Sequence, residues 1–250
     1  MDTITDKIDI HSHILYGIDD GSKSLEESIN IIKEHINMGF TDIAVTPHYI
    51  ENSKYQSNNE EKEILLENIK KELKKQKLKI NLHIGNEVFI NNNIEELLKN
   101  KEISTINKSK YLLIEFPMNE KPKDINNIIY ELKIKGIIPI IAHPERYDYV
   151  EKNPNIVQEW IEEGALLQSN YGSIIGIYGK GPKKTIKKLL KKNLIDVIAT
   201  DIHYPNNKIY LNIDKIEKKL IRIIGENKYI ELVKTNPDSI IKNKEISKNY

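Results

Sequence analysis

Cysteine is absent from all 250 residues. That excludes disulfides, thiolate metal ligands and every mechanism built on a cysteine nucleophile. No apolar run approaches the roughly 18 residues of a membrane span. The start, MDTITDKIDI, lacks a basic n-region and an apolar h-region, so no secretory leader is expected. The protein is expected to be soluble and cytoplasmic. Charge of one sign is missing as well: 38 basic and 37 acidic residues leave a formal charge of +1. No global field therefore favours nucleic acid or acidic lipid. Only two of the basic residues are Arg. The abundance of Lys, Asn and Ile around them reads as a genome-wide compositional bias.

What is present alternates. Short runs rich in Ile, Val and Leu predict strands at Ile8–Ile10, Ile43–Val45, Leu82–Ile84, Leu112–Ile114, Ile137–Ile141, Ala165–Gln168 and Val197–Thr200. All but the first show little alternation, as in parallel strands covered on both faces. Between them, apolar residues recur at three- and four-residue spacing, for example Ile29, Ile32 and Ile36, or Ile125, Ile128, Ile129 and Leu132, or Ile213, Ile216, Leu220 and Ile223. Gly39 and Gly136 are placed to stop helices ahead of the next strand. Seven strands at intervals of roughly 25–40 residues predict a (β/α)7 barrel, one unit short of the usual eight. No repeat or linker divides it. Residues 1–250 read as a single α/β domain, with 235–250 as a last short helix and polar tail.

Five of the seven histidines directly follow apolar runs: His11 and His13 in IDIHSH, His48 in IAVTPH, His143 in IIPIIAHPER and His203 in DVIATDIH. Asp201 precedes His203, two other runs supply Glu87 and Glu115, and the loop GIDDG supplies Asp20. A barrel gathers its strand ends at one face. Nine nitrogen and oxygen ligands there suit Mn, Fe or Zn and exceed what one ion of four to six coordination uses. A multinuclear metal centre is predicted. In HSH and DIH the paired groups, one residue apart on extended chain, fall on the same side. His35, in mid-helix, and His83, within a strand, are expected to be structural or surface residues.

Arg146 follows His143 in AHPER. In a chain that otherwise uses Lys, an Arg at a strand end suits bidentate recognition of phosphate or carboxylate. The competing role is an ion pair with Glu145 or another barrel carboxylate. Arg222, in an amphipathic stretch, reads as structural.

The motifs IDIHSHILYGIDDGSKS, TPHY, GNEV, IEFP, AHPER, QSNYGSIIGIYGKGPKKT and ATDIHYPN resemble those of the polymerase-and-histidinol-phosphatase superfamily. Within it, they are most similar to the bacterial manganese-dependent protein-tyrosine phosphatases of capsule and exopolysaccharide loci, the CpsB/CapC/YwqE group. The likeness runs from about residue 8 to residue 205 with the motifs in order. It implies a distorted (β/α)7 barrel with three metal ions, Mn²⁺ foremost and Fe, Zn or Mg as alternatives, at the C-terminal ends of the strands. His11, His13, Glu87 and Asp201 would hold the first ion. Glu87 would bridge to the second, with Glu115 and His143. Asp20, His48 and His203 would hold the third. Arg146 matches the family's phosphate-binding Arg, and Lys208 stands nearest the place of a second one.

The implied activity is phosphomonoester hydrolysis, a metal-activated hydroxide attacking phosphorus in line. The implied substrate is a tyrosine-phosphorylated protein, the cognate membrane tyrosine autokinase that regulates polysaccharide export, with neither nucleic acid nor stable membrane insertion involved. A phosphatase for a small phosphomonoester such as histidinol phosphate, a nuclease, and a non-catalytic metal-binding partner of the polysaccharide machinery are the alternatives. Asp19 is a spare carboxylate beside the site, able to orient the loop. Finally, GKGPKKTIKKLLKKN puts Lys184, Lys187, Lys188 and Lys191 on one helical face, opposite Ile186, Leu189 and Leu190. It reads as a solvated outer helix, or as a docking surface for an acidic phosphorylated tail or an anionic membrane.

Overall fold

The computed structural model describes residues 5–90 and 93–246. The first residues of MDTITDKIDI, 1–4, and the end of the polar tail, 247–250, lie outside them. The elements in order are β1 (Lys7–Asp9), α1 (Leu25–Asn37), β2 (Phe40–Val45), β3 (His48–Tyr49), α2 (Asn59–Lys75), β4 (Asn81–Ile84), β5 (Glu87–Phe89) and α3 (Ile94–Lys99). Then come β6 (Tyr111–Glu115), α4 (Ile125–Ile134), β7 (Ile138–Ala142), α5 (Asp148–Lys152), α6 (Val157–Glu163), β8 (Leu166–Asn170) and α7 (Tyr171–Ile175). The chain finishes with α8 (Lys180–Lys191), β9 (Val197–Ala199), α9 (Lys208–Ile224), α10 (Glu226–Ile230) and α11 (Asn236–Ile241).

All named strand pairings are parallel, in two sheets of order β1-β2-β4 and β3-β5-β6-β7-β8-β9. Each of the seven predicted strands is present, two of them broken. The second breaks at Thr46-Pro47, where proline has no N–H to give a ladder, and the third at Gly85-Asn86. Hydrogen bonds carry the pairing across the breaks: Gly85 N to Val45 O at 3.0 Å, Glu87 N to Pro47 O at 3.1 Å and Thr46 N to Ser12 O at 2.8 Å. The order closes where the chain's first and last strands meet. Ser12 and Ile202 form a parallel bridge, flanked by Asp201 N to His11 O and His13 N to Ile202 O, both 2.9 Å. The result is a mixed α/β fold whose parallel strands follow the cyclic order of a (β/α)7 barrel.

The core divides accordingly. Ile8, Ile10, Ala44, Leu113, Ile140, Ala142, Val197 and Ala199 form one buried cluster. Their outward neighbours Ile43, Val45, Leu112, Ile114, Ile141 and Ile198 join a larger one with the helices, the alternation expected of a closed sheet. Ile240 and Ile241 belong to the first cluster. Within the segment 235–250, expected to be a short helix and polar tail, the helix is α11, and its two isoleucines make it partly an apolar plug. Helix α1 shows the local logic: the Ser24 hydroxyl caps Glu27 N, two glutamates occupy its first turn, and Ile29, Ile31 and Ile32 are buried. Gly39 and Gly136 end their helices at φ of 85° and 79°, which side chains disfavour.

Candidate metal centre

Four donor atoms meet at one end of the ring. His11 and His13 follow β1, Glu87 opens β5, and Asp201 follows β9. His11 Nε2 lies 3.2 Å from His13 Nε2, 3.2 Å from Glu87 Oε2 and 3.3 Å from Asp201 Oδ1. His13 Nε2 lies 3.3 and 3.4 Å from the same two oxygens. With these five separations of 3.2–3.4 Å and all four atoms within 4.8 Å of one another, the donors stand close enough to share one divalent ion, whose bonds to imidazole nitrogen or carboxylate oxygen are about 2.0–2.2 Å. Glu87 Oε2 is buried and accepts no hydrogen bond within the chain. The residues fit a metal ion.

The other ring nitrogens are occupied. His11 Nδ1 lies 2.8 Å from Gln168 Oε1 and His13 Nδ1 lies 2.8 Å from Asp19 Oδ2. These acceptors hold the proton on Nδ1 and leave the Nε2 lone pair facing the centre. Asp19 also accepts from His48 N at 3.1 Å and Gly21 N at 2.8 Å, so it orients both a ligand and the loop. Asn170 Nδ2 donates to Asp201 Oδ2 at 2.7 Å, and Gln168 Nε2 to Asn170 Oδ1 at 2.8 Å. Beneath them Asp9 accepts from the amides of His11 (3.2 Å) and Thr200 (3.1 Å), from the Thr200 hydroxyl, and pairs with His35 Nε2 at 3.0 Å. His35 is therefore structural, as expected, and so is His83, which pairs with Asp42 at 2.9 Å. Sequence reasoning assigned no role to Asp9, Gln168 or Asn170. The signal was there: in QSN two polar residues share one face of a wholly buried strand.

The remaining candidates complete one contiguous cluster. His143 Nε2 lies 3.0 Å from Glu87 Oε1 and 3.7 Å from Glu115 Oε1. On the other side His48 Nδ1 lies 3.1 Å from Glu87 Oε2 and 3.9 Å from Glu115 Oε2. Donor atoms of His48, Glu87 and Glu115 fall within 4.8 Å of one another; His143 was the expected third member and approaches the same carboxylates from the opposite flank. A third group joins Asp20, His48 and His203, as expected, and adds His13, whose ring stacks on His203 at 3.9 Å. Two of the candidates sit in left-handed backbone, His143 at φ 32° and Asp201 at φ 53°. Such conformations cost about 1–3 kcal/mol each and concentrate at functional sites.

Electrostatics separates the members. Burial opposes a charged His11, yet Glu87 and Asp201 beside it raise its pKa to about 9. Burial, then the negative charges of Glu87 and Asp201, push Glu115 up to about 9. Burial and then Arg146 bring His143 down to about 4. Burial opposes the charged form of Glu87 and Asp201, yet the histidines around them, His11 first, hold both well below the usual carboxylate range. Buried carboxylates crowded in this way call for cations.

Arg146 donates from Nη1 to Asp201 Oδ2 at 2.8 Å, and its guanidinium lies 4.5 Å over the Tyr178 ring. Its partner is thus a barrel carboxylate and not Glu145, which accepts from Asn170 N and the Ser173 hydroxyl. Among the described residues one of its five donors is engaged in a hydrogen bond, and its side chain is 26% exposed. Lys208 is the exposed first residue of α9; among the described residues it forms no ion pair with the cluster.

Residues 7–242 match the family described as capsular polysaccharide synthesis, CpsB/CapC. CapC of Staphylococcus aureus is 38% identical over 241 residues, 96% of this chain and 93% of that protein. The tyrosine-protein phosphatase YwqE of Bacillus subtilis is 35% identical over 196 residues, 78% of this chain and 77% of its own. A crystal structure from work on YwqE and Streptococcus pneumoniae CpsB, described there as unique metal-dependent tyrosine phosphatases, superposes with a TM-score of 0.89 at 30% identity, covering 96% of both chains. A histidinol phosphate phosphatase from Lactococcus lactis, with a TM-score of 0.57, 15% identity and 89% of this chain and 95% of its own covered, shares the fold alone. A site built from the ends of seven strand segments and a family match spanning nearly the whole chain lead to one assignment: this protein belongs to the CpsB/CapC family of capsular polysaccharide synthesis.

Proposed function

We propose that the protein is a metal-dependent protein-tyrosine phosphatase, a phosphoric monoester hydrolase acting on the phosphorylated tail of a membrane tyrosine autokinase in capsule or exopolysaccharide synthesis. The observation that carries this reading is the placement of Arg146. It shares Asp201 with the donor set, one carboxylate oxygen facing His11 and His13 and the other accepting from the guanidinium. A phosphate at the cluster would meet metal and guanidinium together.

The nine donors are assigned to Mn²⁺, three ions in the arrangement His11/His13/Glu87/Asp201, Glu87/Glu115/His143 and Asp20/His48/His203, with His48 and His13 able to serve two groups each. Divalent ions so held acidify a bound water and neutralise phosphate oxygens. The protein's own part is orientation and charge. Asp19 and Gln168 fix the histidine tautomers. Arg146 has donors left for the equatorial phosphate oxygens, where negative charge builds in the transition state. Lys208 is assigned as a second, weaker phosphate contact, a point charge in place of a fork. A phenolate leaving group, of pKa about 10, departs with less protonation than an alkoxide, so no general acid is assigned.

Exposure grades outward across the cluster. His11 and His13 are fully buried, His203 is 22% exposed and Asp20 50% exposed at the side chain. A mouth whose outer donors reach solvent admits a flexible protein segment. Tyrosine-phosphorylated peptides are therefore expected to exceed phosphoserine peptides and histidinol phosphate by at least tenfold in kcat/KM, measured by phosphate release from one preparation. A preference for histidinol phosphate would transfer the protein to the small-substrate reading.

A further inference from the structure

A chain of net charge +1 carries seven lysines and no acid between residues 180 and 192, which leaves the remainder at −6. Six of those lysines lie on α8 and Lys192 caps its end; Pro182, Thr185, Ile186, Leu189 and Leu190 turn inward and Lys184, Lys187, Lys188 and Lys191 are exposed. Helix α9 packs beside α8 and adds Lys215, Lys218, Lys219 and Arg222. Lys183, Lys215, Lys187 and Arg222 all act on Lys219 by like-charge repulsion, after burial itself. The acid on the inner side of α9, Glu217, is turned in to Lys7. Among the described residues, none of the cations of the α8–α9 face forms an ion pair. Surface charge elsewhere is paired in several places, as in Lys135 with Glu95 and Lys242 with Asp238. The helix pair keeps its positive charge free.

Its position gives that charge a use. Helix α8 packs on the Pro144–Arg146 turn, and it begins two residues after Tyr178, the ring under the Arg146 guanidinium. The basic face therefore starts at the mouth of the metal cluster and runs down the outside of the ring. Twelve helical residues extend about 18 Å, the reach of roughly five residues of extended peptide at about 3.3 Å each.

We propose that this face is the docking track for the acidic segment flanking the phosphotyrosine, so that an acidic peptide is held on α8 while its phosphate enters at Arg146. The proposal rests on the phosphatase reading and adds to it the chemical class of the flanking sequence. An anionic membrane is the less suited occupant. Interfacial helices bury apolar side chains in the lipid boundary, whereas those of α8 are committed to the core, and among the described residues Leu211 is the single large exposed apolar side chain on α8 or α9.

The test compares wild-type protein, metal-loaded, with a Lys184→Gln/Lys187→Gln/Lys188→Gln/Lys191→Gln variant; glutamine preserves helix propensity. The substrates are two phosphotyrosine peptides alike at the core and flanked by Asp/Glu or by Asn/Gln, together with a small aryl phosphate. In wild type the acidic peptide is expected to have a KM about tenfold below its neutral counterpart, an advantage erased near 0.5 M salt. In the variant that gap closes, with kcat and small-substrate kinetics unchanged. Binding of the unphosphorylated acidic peptide, read by fluorescence anisotropy, reports the face independently of turnover and should weaken in parallel. Equal KM values for both peptides in wild type, or a variant that still favours and binds the acidic one, would overturn the proposal. So would flotation with anionic vesicles that needs the four lysines when peptide discrimination does not. If no aryl phosphate is hydrolysed but anisotropy still distinguishes the two proteins, the phosphatase reading fails and the acidic-peptide track stands.

Discussion

Asp19→Asn tests whether the layer behind the ligands sets metal affinity. The carboxylate accepts three hydrogen bonds, from His13 Nδ1, His48 N and Gly21 N. An asparagine of the same shape has one acceptor oxygen. Aimed at His13 and His48, it leaves its NH₂ against the Gly21 amide, donor to donor. Turned round, it leaves the His13 proton and the His48 amide unmatched. Either way a buried donor goes unsatisfied at a cost of about 1–3 kcal/mol, which in a chain of this size lowers Tm by about 2–10 °C. The negative charge that makes His13 a better ligand is lost too, and replacing such a partner weakens metal binding about 10–100-fold. Mn²⁺ affinity would be measured by competition with a chelating dye, and Tm by calorimetry of metal-free protein. A variant that loses Tm but binds Mn²⁺ as tightly as wild type would show that Asp19 only pins the loop, and the argument for ligand orientation would be wrong.

EDTA should abolish phosphatase activity and Mn²⁺ should restore it best, while iodoacetamide should do nothing to a chain without cysteine; His13→Ala, Glu87→Ala and Asp201→Ala should lose metal as well as turnover, and full activity in a metal-free preparation would refute the site. Arg146→Lys should keep fold and metal yet lose about 10²-fold in kcat/KM, about 2.7 kcal/mol of transition-state stabilisation, whereas Lys208→Arg should equal or improve on wild type; an unfolded Arg146→Lys whose surviving fraction has normal kinetics would make Arg146 a structural partner of Asp201. Burial brings Lys62, which donates to Asn86 Oδ1, down to about 7. Between that value and the ordinary 10.4 of a free lysine the unfolded chain binds the extra proton, so stability contributed at this position rises with pH. From pH 7 to 9.5 wild type should gain about 3 kcal/mol over Lys62→Met in urea unfolding, and parallel pH profiles would show that Lys62 stays charged in the fold.

All seven strands could be read in the sequence, as could the clustering of the nine proposed donors, because most of both are local signals: an apolar run and the polar residue that ends it. What orients those donors could not. Asp9 reaches Thr200 across 191 positions and Gln168 reaches His11 across 157, and nothing within either segment names its partner. The breaks at Pro47 and Gly85 were hidden because hydrogen bonds from neighbouring strands carry the ladder past them. A last short helix could be read within 235–250, but not its docking: its neighbours are polar, and two isoleucines, Ile240 and Ile241, suffice to join the cluster inside the ring. Arg146 was visible as an anomaly of composition, but its bond to Asp201 and its stacking on Tyr178 depend on three separate loops.

The seam between the first and last strands has a consequence for how the protein matures. The bonds that close the ring run through His11, His13, Asp201 and Ile202, so three of the four members of the first donor set also seal the fold. Of that set, His11 and His13 are made at the beginning of synthesis, Glu87 about 75 residues later and Asp201 some 190 residues later. A ribosome-bound chain lacking the last strand has HSH and Glu87 but not Asp201, and cannot assemble this group of four. Metal capture then marks completion. An ion bound only by the sealed state stabilises that state by mass action, so scarcity of metal would be felt first as an open seam, exposing strand edges to proteases and to pairing with other chains, before any loss of helix content.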